Sequence, residues 1–342
     1  MIPQIDLASD YRISRLIKGG WHLAGGHGPV EPEQALRDMA QFVEAGFTAF
    51  DCADIYTGVE ELIGRFRREY PSLARQVRVH TKFVPDLDRL QQTDAAAVEA
   101  IIDRSLARLG QQRLDLVQFH WWDYGVKRYV EVACELDRLR RKGKIDRIGL
   151  TNFGTPEVRE IVAAGVPVFS HQVQYSLLDD RPSHGMVDLC LGHGIALLCY
   201  GTVAGGFLSE RWLGTADARG PFDNRSLTKY RLIIDEFGGW PLFQDLLRSL
   251  KQVGRKHGCD IATVATRLML DRPGVAAAIV GATNAAHLAG HARIGELRLD
   301  DEDRAQVDAV LARRSGPSGD VYTLERDRGG PHGSIMKYTL NR

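Results

Sequence analysis

The sequence has few of the features that would direct it to a nucleic acid, a membrane or an oxidising compartment. Its 44 lysines and arginines are matched by 44 aspartates and glutamates, so the formal net charge is zero. The basic residues are scattered, which argues against binding to nucleic acid or to an anionic membrane. No apolar run approaches the roughly 20 residues that span a bilayer, and the first residues lack the pattern of a signal peptide. We therefore expect a cytoplasmic protein whose partner is a small molecule.

Two further absences narrow the chemistry. The cysteines are odd in number and dispersed, without the spacing of a metal site, so we expect reduced thiols and no bound metal. They are Cys52, Cys134, Cys190, Cys199 and Cys259. The chain also lacks a Gly-x-Gly-x-x-Gly segment between a strand and a helix. The glycine-rich stretch 19–28 has the wrong spacing for that dinucleotide fingerprint, which disfavours a Rossmann domain.

The chain does contain a regular alternation of strand-like and helix-like runs, the pattern of a parallel sheet with crossover helices. Short apolar runs predict eight strands, at 15–19, 48–52, 77–82, 114–120, 147–152, 168–175, 195–200 and 276–280. A (β/α)8 barrel, or TIM barrel, typically takes about 250 residues as one unit. We therefore predict an α/β fold in which eight parallel strands close into a TIM barrel, as a single domain over residues 1–342.

Amphipathic runs between these strands predict the surrounding helices, at 32–45, 58–70, 94–109, 129–142, 155–164, 181–193, 241–257 and 261–271. In the helix 94–109, apolar residues recur at helical spacing and should face the barrel. They are Val98, Ile101, Ile102, Leu106 and Leu109. Two stretches are expected to be irregular, the loop 205–239 and the tail 315–342. The tail could be a lid, an oligomer contact or a disordered end.

Polar residues at the ends of three successive strands are the strongest functional signal. Asp51, Lys82 and His120 close predicted strands, and Tyr56 lies in the loop just beyond the first of them. Parallel barrel strands present their C-terminal ends at one face, so residues far apart in sequence meet there. Side-chain alternation turns Asp51, Lys82 and His120 into the barrel. We expect these four residues to form one proton-transfer site.

The chemistry of these residue types agrees with that expectation. A neighbouring ammonium favours a phenolate, so Lys82 would lower the pKa of Tyr56 from its usual value of about 10. Asp51 would keep Lys82 charged and in place. His120 could donate a hydrogen bond to a carbonyl oxygen and stabilise the alkoxide that forms when hydride arrives. Any one of these residues alone would more often be structural, but together they indicate a site.

Four segments between residues 10 and 312 resemble the aldo-keto reductase family. They are Phe50-Asp51-Cys52-Ala53-Asp54-Ile55-Tyr56, Gly149-Leu150-Thr151-Asn152-Phe153, His171-Gln172-Val173-Gln174-Tyr175 and Gly281-Ala282-Thr283-Asn284. Each segment alone is weak evidence, but their order and spacing together are specific. The resemblance implies an oxidoreductase that interconverts a carbonyl and an alcohol by hydride transfer, using a nicotinamide dinucleotide. It assigns the catalytic roles to Asp51, Tyr56, Lys82 and His120.

The same resemblance implies where the cofactor binds. The dinucleotide would lie extended across the barrel mouth, under the loop 205–239. Thr151, Asn152 and Gln172 would hold its carboxamide through their polar groups. Tyr200 would stack on its nicotinamide ring. The other cofactor contacts that we expect are Trp21, Asp51, Gly281, Thr283 and His287.

The choice between NADP(H) and NAD(H) rests on the adenosine end, where a 2′-phosphate needs cationic or amide donors. The segment 281–287 lacks the basic residue that many NADP-preferring relatives carry there. Arg211 and Arg225, in contrast, look similar to basic positions of relatives such as the potassium-channel β subunits. We therefore favour NADP(H), with NAD(H) as the alternative. The competing interpretation is that both arginines are solvated loop charges.

Aromatic residues predict a flat-walled, apolar substrate pocket around the reacting carbonyl. The expected lining is Trp21, Tyr56, His120, Trp121 and Trp122. Such walls suit aromatic aldehydes and also stack on sugar rings. Alternatively, Trp122 and the nearby Tyr124 only pack loops onto the barrel.

Two other functions are compatible with the same residues. A regulatory subunit like the potassium-channel β subunits would bind the dinucleotide to sense redox state while attached to a partner. A Schiff-base lyase or aldolase could be built on Lys82, because burial can activate a lysine. The set of Tyr56, Lys82 and His120 favours turnover, so an NAD(P)-dependent carbonyl or alcohol oxidoreductase is the predicted function. The sequence carries no signal for an oligomeric state.

Overall fold

The computed structural model describes residues 2–26, 28–281 and 284–341. Its strands are β1 Gln4–Ala8, β2 Tyr11–Ser14, β3 Leu16–Gly19, β4 Ala49–Asp51, β5 Arg78–Phe83, β6 Leu114–Phe119, β7 Ile145–Thr151, β8 Val168–Gln174, β9 Ala196–Tyr200 and β10 Val275–Val280. The strands β3 to β10 are parallel to their neighbours and close into a barrel in sequence order. The predicted TIM barrel is therefore confirmed, and each of its strands begins and ends within two residues of the prediction.

Helices connect the strands and pack around the outside of the barrel. They are α1 Pro32–Glu44, α2 Val59–Glu69, α3 Pro71–Ala74, α4 Ala95–Leu109, α5 Tyr129–Arg141, α6 Thr155–Ala163, α7 Met186–Gly192, α8 Arg225–Phe237, α9 Gly239–His257, α10 Ile261–Leu270, α11 Leu288–Glu296, α12 Asp301–Leu311, α13 Thr323–Arg326 and α14 Pro331–Ser334. Within the described ranges, none of these helices has the length and apolarity needed to cross a membrane.

Helix α4 shows why these segments fold where they do. The Asp94 side chain accepts a hydrogen bond from the Ala97 amide and begins the helix, and Gly110 ends it at φ 61°. The apolar stripe faces the barrel, where Val98, Ile102 and Leu109 are buried. Burying each such side chain stabilises the fold by about 1.5–3 kcal/mol. Local capping and a helical apolar period therefore predict this element correctly.

Several elements differ from the sequence predictions, among them helices α3 and α11, which were not predicted. The predicted helix 181–193 is a 3₁₀ turn at Arg181–Ser183 followed by α7, because Gly185 takes φ 116° between them. The loop 205–239 contains α8, which Asn224 caps by accepting from the Leu227 amide. Helix α12 begins with a capping box of Asp300 and Asp303 and was not predicted. The tail 315–342 contains the single-turn helices α13 and α14.

The hairpin of β1 and β2, which the sequence did not predict, covers the N-terminal end of the barrel. Tyr11 and Ile13 pack inside the barrel in a cluster with Ile17 and Leu116. The Arg78 guanidinium, at the start of β5, lies 5.2 Å from the Tyr11 ring centroid. This end of the barrel is therefore filled, which leaves the C-terminal end for the chemistry.

Candidate active site

The barrel register brings Asp51, Lys82 and His120 together at the C-terminal end. Asp51 ends β4, Lys82 lies near the end of β5, and His120 directly follows β6. All three side chains are buried. Lys82 Nζ donates to Asp51 Oδ2 and to the Cys52 carbonyl, both at 2.8 Å, and lies 4.9 Å from the centroid of the Tyr56 ring. The four residues therefore have the geometry that strand alternation and the loop position of Tyr56 lead one to expect.

Asp51 accepts hydrogen bonds from two glutamines in addition to Lys82. Its Oδ1 atom accepts from Gln172 Nε2 at 2.6 Å and from Gln118 Nε2 at 3.1 Å. Gln172 also donates to Gln118 at 2.9 Å. Sequence reasoning did not select Gln118, although it lies two residues before His120 on the same inward face of β6. These amides fix the Asp51 carboxylate, and through it Lys82.

The protonation states of Lys82 and Tyr56 follow from burial and from each other. Burial alone would lower the pKa of Lys82, but the Asp51 carboxylate and Tyr56 outweigh it, so the pKa lies above the usual range of lysine. Burial raises the pKa of Tyr56 above its usual value, and the Lys82 ammonium opposes this rise without cancelling it. The expected net lowering of the Tyr56 pKa is therefore not found. Tyr56 holds its proton at neutral pH, beside a charged Lys82.

His120 is held through one ring nitrogen. Its Nδ1 atom lies 3.0 Å from the Thr151 carbonyl oxygen, which can only accept, so Nδ1 carries the hydrogen. Burial lowers the pKa of His120 to about 3, and the charges of Arg326 and Lys82 act in the same direction. The ring is therefore neutral, and its Nε2 atom is an acceptor. Nε2 is shielded from solvent and has no hydrogen-bond partner among the described residues.

The expected aromatic residues divide into two groups. The Trp21 ring contacts Tyr56 edge-on with centroids 5.0 Å apart and remains 36% exposed, and the Trp122 ring contacts His120 edge-on at 4.3 Å. These two residues therefore lie beside Tyr56 and His120, two of the four residues expected to be catalytic. Trp121 instead turns towards the helices, where it is fully buried against Phe119. Strand alternation explains this correction, since Trp121 is adjacent to the inward-facing His120.

The residues expected around a nicotinamide ring lie next to the catalytic set. Tyr200 Oη donates to Asn152 Oδ1 at 2.9 Å, and Asn152 holds a left-handed backbone conformation at φ 59°. Thr151 precedes Asn152 as the last residue of β7, and its hydroxyl is buried and unpaired among the described residues. Gln172 uses its amide nitrogen for Asp51 and Gln118. The polar groups and the aromatic ring suit a planar carboxamide-bearing ring.

The residues expected at the adenosine end lie on segments that follow β9 and β10. Arg211 lies in a 3₁₀ turn with its guanidinium 5.1 Å from the Trp212 ring centroid. Arg225 begins α8, and its guanidinium donates to the Ile335 carbonyl. Gly281 follows β10, and His287 lies 6.3 Å from His291, measured between ring centroids. Thr283 falls outside the described residues.

The C-terminal strap, residues 320–341, covers the mouth of the barrel and was not connected to the site from the sequence. The Tyr322 ring contacts His120 edge-on, with centroids 5.6 Å apart. The Arg326 guanidinium donates to the carbonyls of Trp122 at 2.8 Å and Asn152 at 2.7 Å, and to the Tyr124 hydroxyl at 2.6 Å. These contacts span about 170 to 205 residues of chain. No local pattern could have indicated them.

The described part of the chain contains no cluster of three or more histidine, cysteine, aspartate or glutamate side chains arranged as metal ligands would be. The hydrogen bonds and charges of the site indicate what it can do chemically. A charged lysine, a protonated tyrosine and a neutral histidine around one solvent-shielded position can transfer a proton to or from an oxygen atom.

Several known proteins are similar to this chain. The model of the aldo/keto reductase family matches residues 15–312. The aldo-keto reductase YhdN of Bacillus subtilis is 26% identical over 320 residues, which cover 90% of this chain and 93% of YhdN. The flagellar radial spoke protein 5 of Chlamydomonas reinhardtii is 30% identical over 257 residues, which cover 64% of this chain and 49% of that protein. This chain thus matches about half the length of the radial spoke protein.

A solved structure shares the fold. The glycerol dehydrogenase AKR11B4 of Gluconobacter oxydans superposes with a TM-score of 0.77 at 24% identity, over 93% of this chain and 97% of its own. At this identity the likeness concerns the fold alone. The family match extends over most of the chain and includes Asp51, Tyr56, Lys82 and His120. The chain therefore belongs to the aldo/keto reductase family and is an oxidoreductase of carbonyl and alcohol substrates.

Proposed function

We propose that this protein interconverts a carbonyl and the corresponding alcohol by hydride transfer with a nicotinamide dinucleotide, and that Tyr56 is its general acid and base. The observation that carries the proposal is the buried Lys82 ammonium, paired with Asp51 at 2.8 Å and lying 4.9 Å from the Tyr56 ring centroid. A fixed positive charge beside a phenol favours the form that has given up its proton. That form must exist for a moment in each turnover.

The dinucleotide, when bound, supplies the hydride in reduction and accepts it in oxidation. In reduction, Tyr56 gives its proton to the substrate oxygen as negative charge develops there, and Lys82 stabilises the phenolate that remains. In oxidation, the phenolate takes the proton back. Asp51 acts on Lys82 and does not touch the substrate, so it is a positioning residue.

His120 holds the substrate oxygen opposite Tyr56. With the hydrogen on Nδ1, its Nε2 atom accepts a hydrogen bond from a hydroxyl group, which suits the alcohol form of the substrate. Donation to a carbonyl oxygen requires a proton on Nε2. The contact with Thr151 therefore favours the form of His120 that accepts a hydrogen bond from an alcohol.

The cofactor that we favour is NADP(H). Support comes from Arg211 and Arg225, which lie on the elements that follow β9 and carry the positive charge that a 2′-phosphate requires. Arg225 now donates to the Ile335 carbonyl, so it would have to exchange that contact for the phosphate. Thr151, Asn152, Gln172 and Tyr200 would hold the nicotinamide end, with Trp21, Gly281, Thr283 and His287 as the further proposed contacts.

The substrate that we propose is a small carbonyl or alcohol compound that stacks on aromatic rings. Trp21 and Trp122 contact Tyr56 and His120 edge-on, from separate loops. Flat aromatic walls bind either an aromatic ring or the apolar face of a sugar. The glycerol dehydrogenase of known structure is named for a polyol, which makes polyols a reasonable first set of alcohols to assay.

The proposal is tested by titrating the protein with NADPH and with NADH while following tryptophan fluorescence. We expect NADPH to bind more tightly than NADH. The variant Arg225→Ala should bind NADPH about tenfold more weakly, because it loses one charge-assisted hydrogen bond, and should bind NADH as the parent does. Arg219→Ala is the matched control, since Arg219 is an exposed cation paired with Asp217. Binding of neither dinucleotide would refute the proposed function.

The lyase alternative is disfavoured by the charge on Lys82. A Schiff base forms from a neutral amine. Burial would lower the pKa of Lys82 and favour that form, but Asp51 outweighs it, so the pKa of Lys82 stays above the usual range of lysine. Borohydride should therefore trap no carbonyl substrate on Lys82. Trapping at that residue would support the lyase in place of the reductase.

A further inference from the structure

The C-terminal strap engages three residues that the proposed function assigns to ligands. Its Tyr322 ring packs on His120, and its Ile335 carbonyl accepts from Arg225. Lys229 connects the strap to the third residue, because its Nζ atom lies 5.2 Å from the Tyr200 ring centroid and 5.5 Å from that of Tyr322. The strap therefore makes its contacts on both the substrate side and the cofactor side of the site.

The ring nitrogen of His120 that would meet a substrate is covered in this arrangement. Its Nε2 atom, the one that must meet the substrate oxygen, is shielded from solvent. Two rings pack edge-on against the imidazole, those of Trp122 at 4.3 Å and Tyr322 at 5.6 Å. Trp122 belongs to the loop after β6, whereas Tyr322 belongs to the strap. Of these two rings, Tyr322 is the one that a movement of the strap would take away from His120.

A buried ion-pair network holds the strap in place. Glu325 accepts from Arg181 Nη1 at 3.0 Å and from Nη2 at 3.2 Å, and Lys229 Nζ lies 3.7 Å from the same carboxylate. The side chains of Glu325 and Arg181 are each 1% exposed. Arg181 is fixed from its other side by Asp179, at 2.7 Å. Removing one partner from such a network leaves an unpaired buried charge, which strongly disfavours the closed arrangement.

The backbone at Tyr322 is held in an unfavourable conformation. Tyr322 has φ 61° and ψ 16°, in the left-handed region that residues with a Cβ atom rarely adopt. Such conformations persist where the surroundings impose them, and they concentrate at ligand clamps and switches. Here the contacts of Glu325 and Arg326, three and four residues further on, impose it. Release of Glu325 would remove one of the two sets of contacts that hold Tyr322 against His120.

Both ends of the strap are attached to the barrel independently of Glu325. At the start, Asp320 accepts from the Thr155 amide at 2.6 Å and from the Thr155 hydroxyl at 2.9 Å. At the end, Asn341 donates to the Val84 carbonyl at 2.7 Å, and the Leu340 amide donates to Asp86 at 2.8 Å. Between these attachments, residues 321–338 are held by the Glu325 ion pairs, by the Arg326 guanidinium on the Trp122 and Asn152 carbonyls, and by the Ile335 carbonyl on Arg225.

We propose that the C-terminal strap is a gate over the active site, latched by Glu325 against Arg181 and Lys229, and that residues 321–338 must lift before a substrate reaches His120. The strap behaves as an internal competitor, since it contacts His120 and Arg225 directly and Tyr200 through Lys229. The effect of the gate on turnover rests on the proposed function. The covering of His120 by the strap does not depend on that function.

The test is the rate at which diethyl pyrocarbonate modifies His120, read by mass spectrometry of the full-length protein. We expect slow modification in the parent, relative to the exposed His184 as an internal reference. Glu325→Gln should accelerate modification of His120 by about tenfold or more, because the rate is proportional to the fraction of molecules with an open strap, which we expect to rise by at least that factor. Glu302→Gln, at an exposed carboxylate, is the matched control and should change nothing.

Hydrogen exchange gives a second readout on the same variants. Residues 321–338 should lose protection in Glu325→Gln, while the barrel strands keep theirs. Tyr322→Ala is a second variant that leaves the ion pairs in place and removes only the covering ring, so it should accelerate His120 modification without loosening the rest of the strap.

The gate is refuted if His120 of the parent reacts as fast as His184, or if neither Glu325→Gln nor Tyr322→Ala changes the His120 rate. These readouts do not require turnover. If His120 is protected but the protein binds no dinucleotide, the gate stands and the proposed function is refuted. If His120 reacts freely in a protein that is an active reductase, the gate is refuted and the proposed function stands.

Discussion

Lys82 and Asp51 form an ion pair of 2.8 Å in which the side chains are only 6% and 5% exposed. Asp51 is the only carboxylate that the described structure places against the Lys82 ammonium, and Gln118 and Gln172 hold that carboxylate from its other oxygen. A buried pair of this kind contributes little net stability compared with apolar residues, but breaking it by removing one partner costs much more. We therefore explain the presence of this pair by the proposed role of Lys82 and not by a gain in stability.

Asp51→Asn should destabilise the fold by about 3–5 kcal/mol, because it leaves the Lys82 ammonium buried without a counter-charge. Denaturant unfolding of the variant and the parent measures this loss. The double variant Asp51→Asn with Lys82→Met should recover most of the stability and none of the activity. A double variant as unstable as the single one would show that the loss comes from the Gln118 and Gln172 hydrogen bonds instead.

Tyr56→Phe should lower kcat by a factor of about 10²–10⁴, the usual contribution of one general acid or base. Dinucleotide binding, followed by tryptophan fluorescence, should stay unchanged because the aromatic ring remains against Trp21. Tyr70→Phe is the control, since Tyr70 stacks on Phe66 away from the catalytic set. Near-normal turnover in Tyr56→Phe would exclude the proposed proton transfer.

The tautomer of His120 can be observed directly. We expect nitrogen-15 NMR of the histidine-labelled protein at neutral pH to show a directly bonded hydrogen on Nδ1 and a bare, pyridine-like Nε2. The physical reason is the 3.0 Å contact of Nδ1 with the Thr151 carbonyl, which can only accept. Hydrogen on Nε2, or on both nitrogens, would contradict this assignment and would make His120 a donor in the resting protein.

Buried histidines should make the protein lose stability in mild acid. Burial, with Arg326 in support, lowers the pKa of His171 to about 3. In the unfolded chain a histidine titrates near 6.5, so below that pH the unfolded chain binds a proton that the folded chain does not. The contribution of His171 is therefore complete above pH 6.5, and it falls by about 1.4 kcal/mol per pH unit as the pH drops towards 3.

This loss is measured as the difference in unfolding free energy between the parent and His171→Gln at pH 7, 6 and 5. Taking the difference cancels the other titrating groups, and a glutamine oxygen can accept the Phe153 amide in place of His171 Nε2. The variant should show the weaker pH dependence over this range. Equal slopes in the parent and in His171→Gln would rule out the assignment.

The sequence by itself predicted the barrel and the inward placement of Asp51, Lys82 and His120. Strand alternation has a period of two, so the short apolar runs ending at Asp51, Lys82 and His120 specify both the strand ends and the inward faces. Capping residues such as Asp94 act on neighbouring amides, and for that reason α4 was predicted closely. Helix α8 was missed, because the glycine and proline residues before it suggested a continuous loop.

The tertiary structure decided whatever depends on residues that are distant along the chain. Trp121 and Trp122 are adjacent in sequence, yet only Trp122 lies beside His120. The net pKa of Tyr56 depends on burial as well as on Lys82, and burial outweighs the lysine. The strap reaches His120 and Arg181 through Tyr322 and Glu325, across gaps of about 140 to 200 residues. Sequence patterns report local periods, whereas contacts over such distances arise from the packing of the whole chain and leave no local signal.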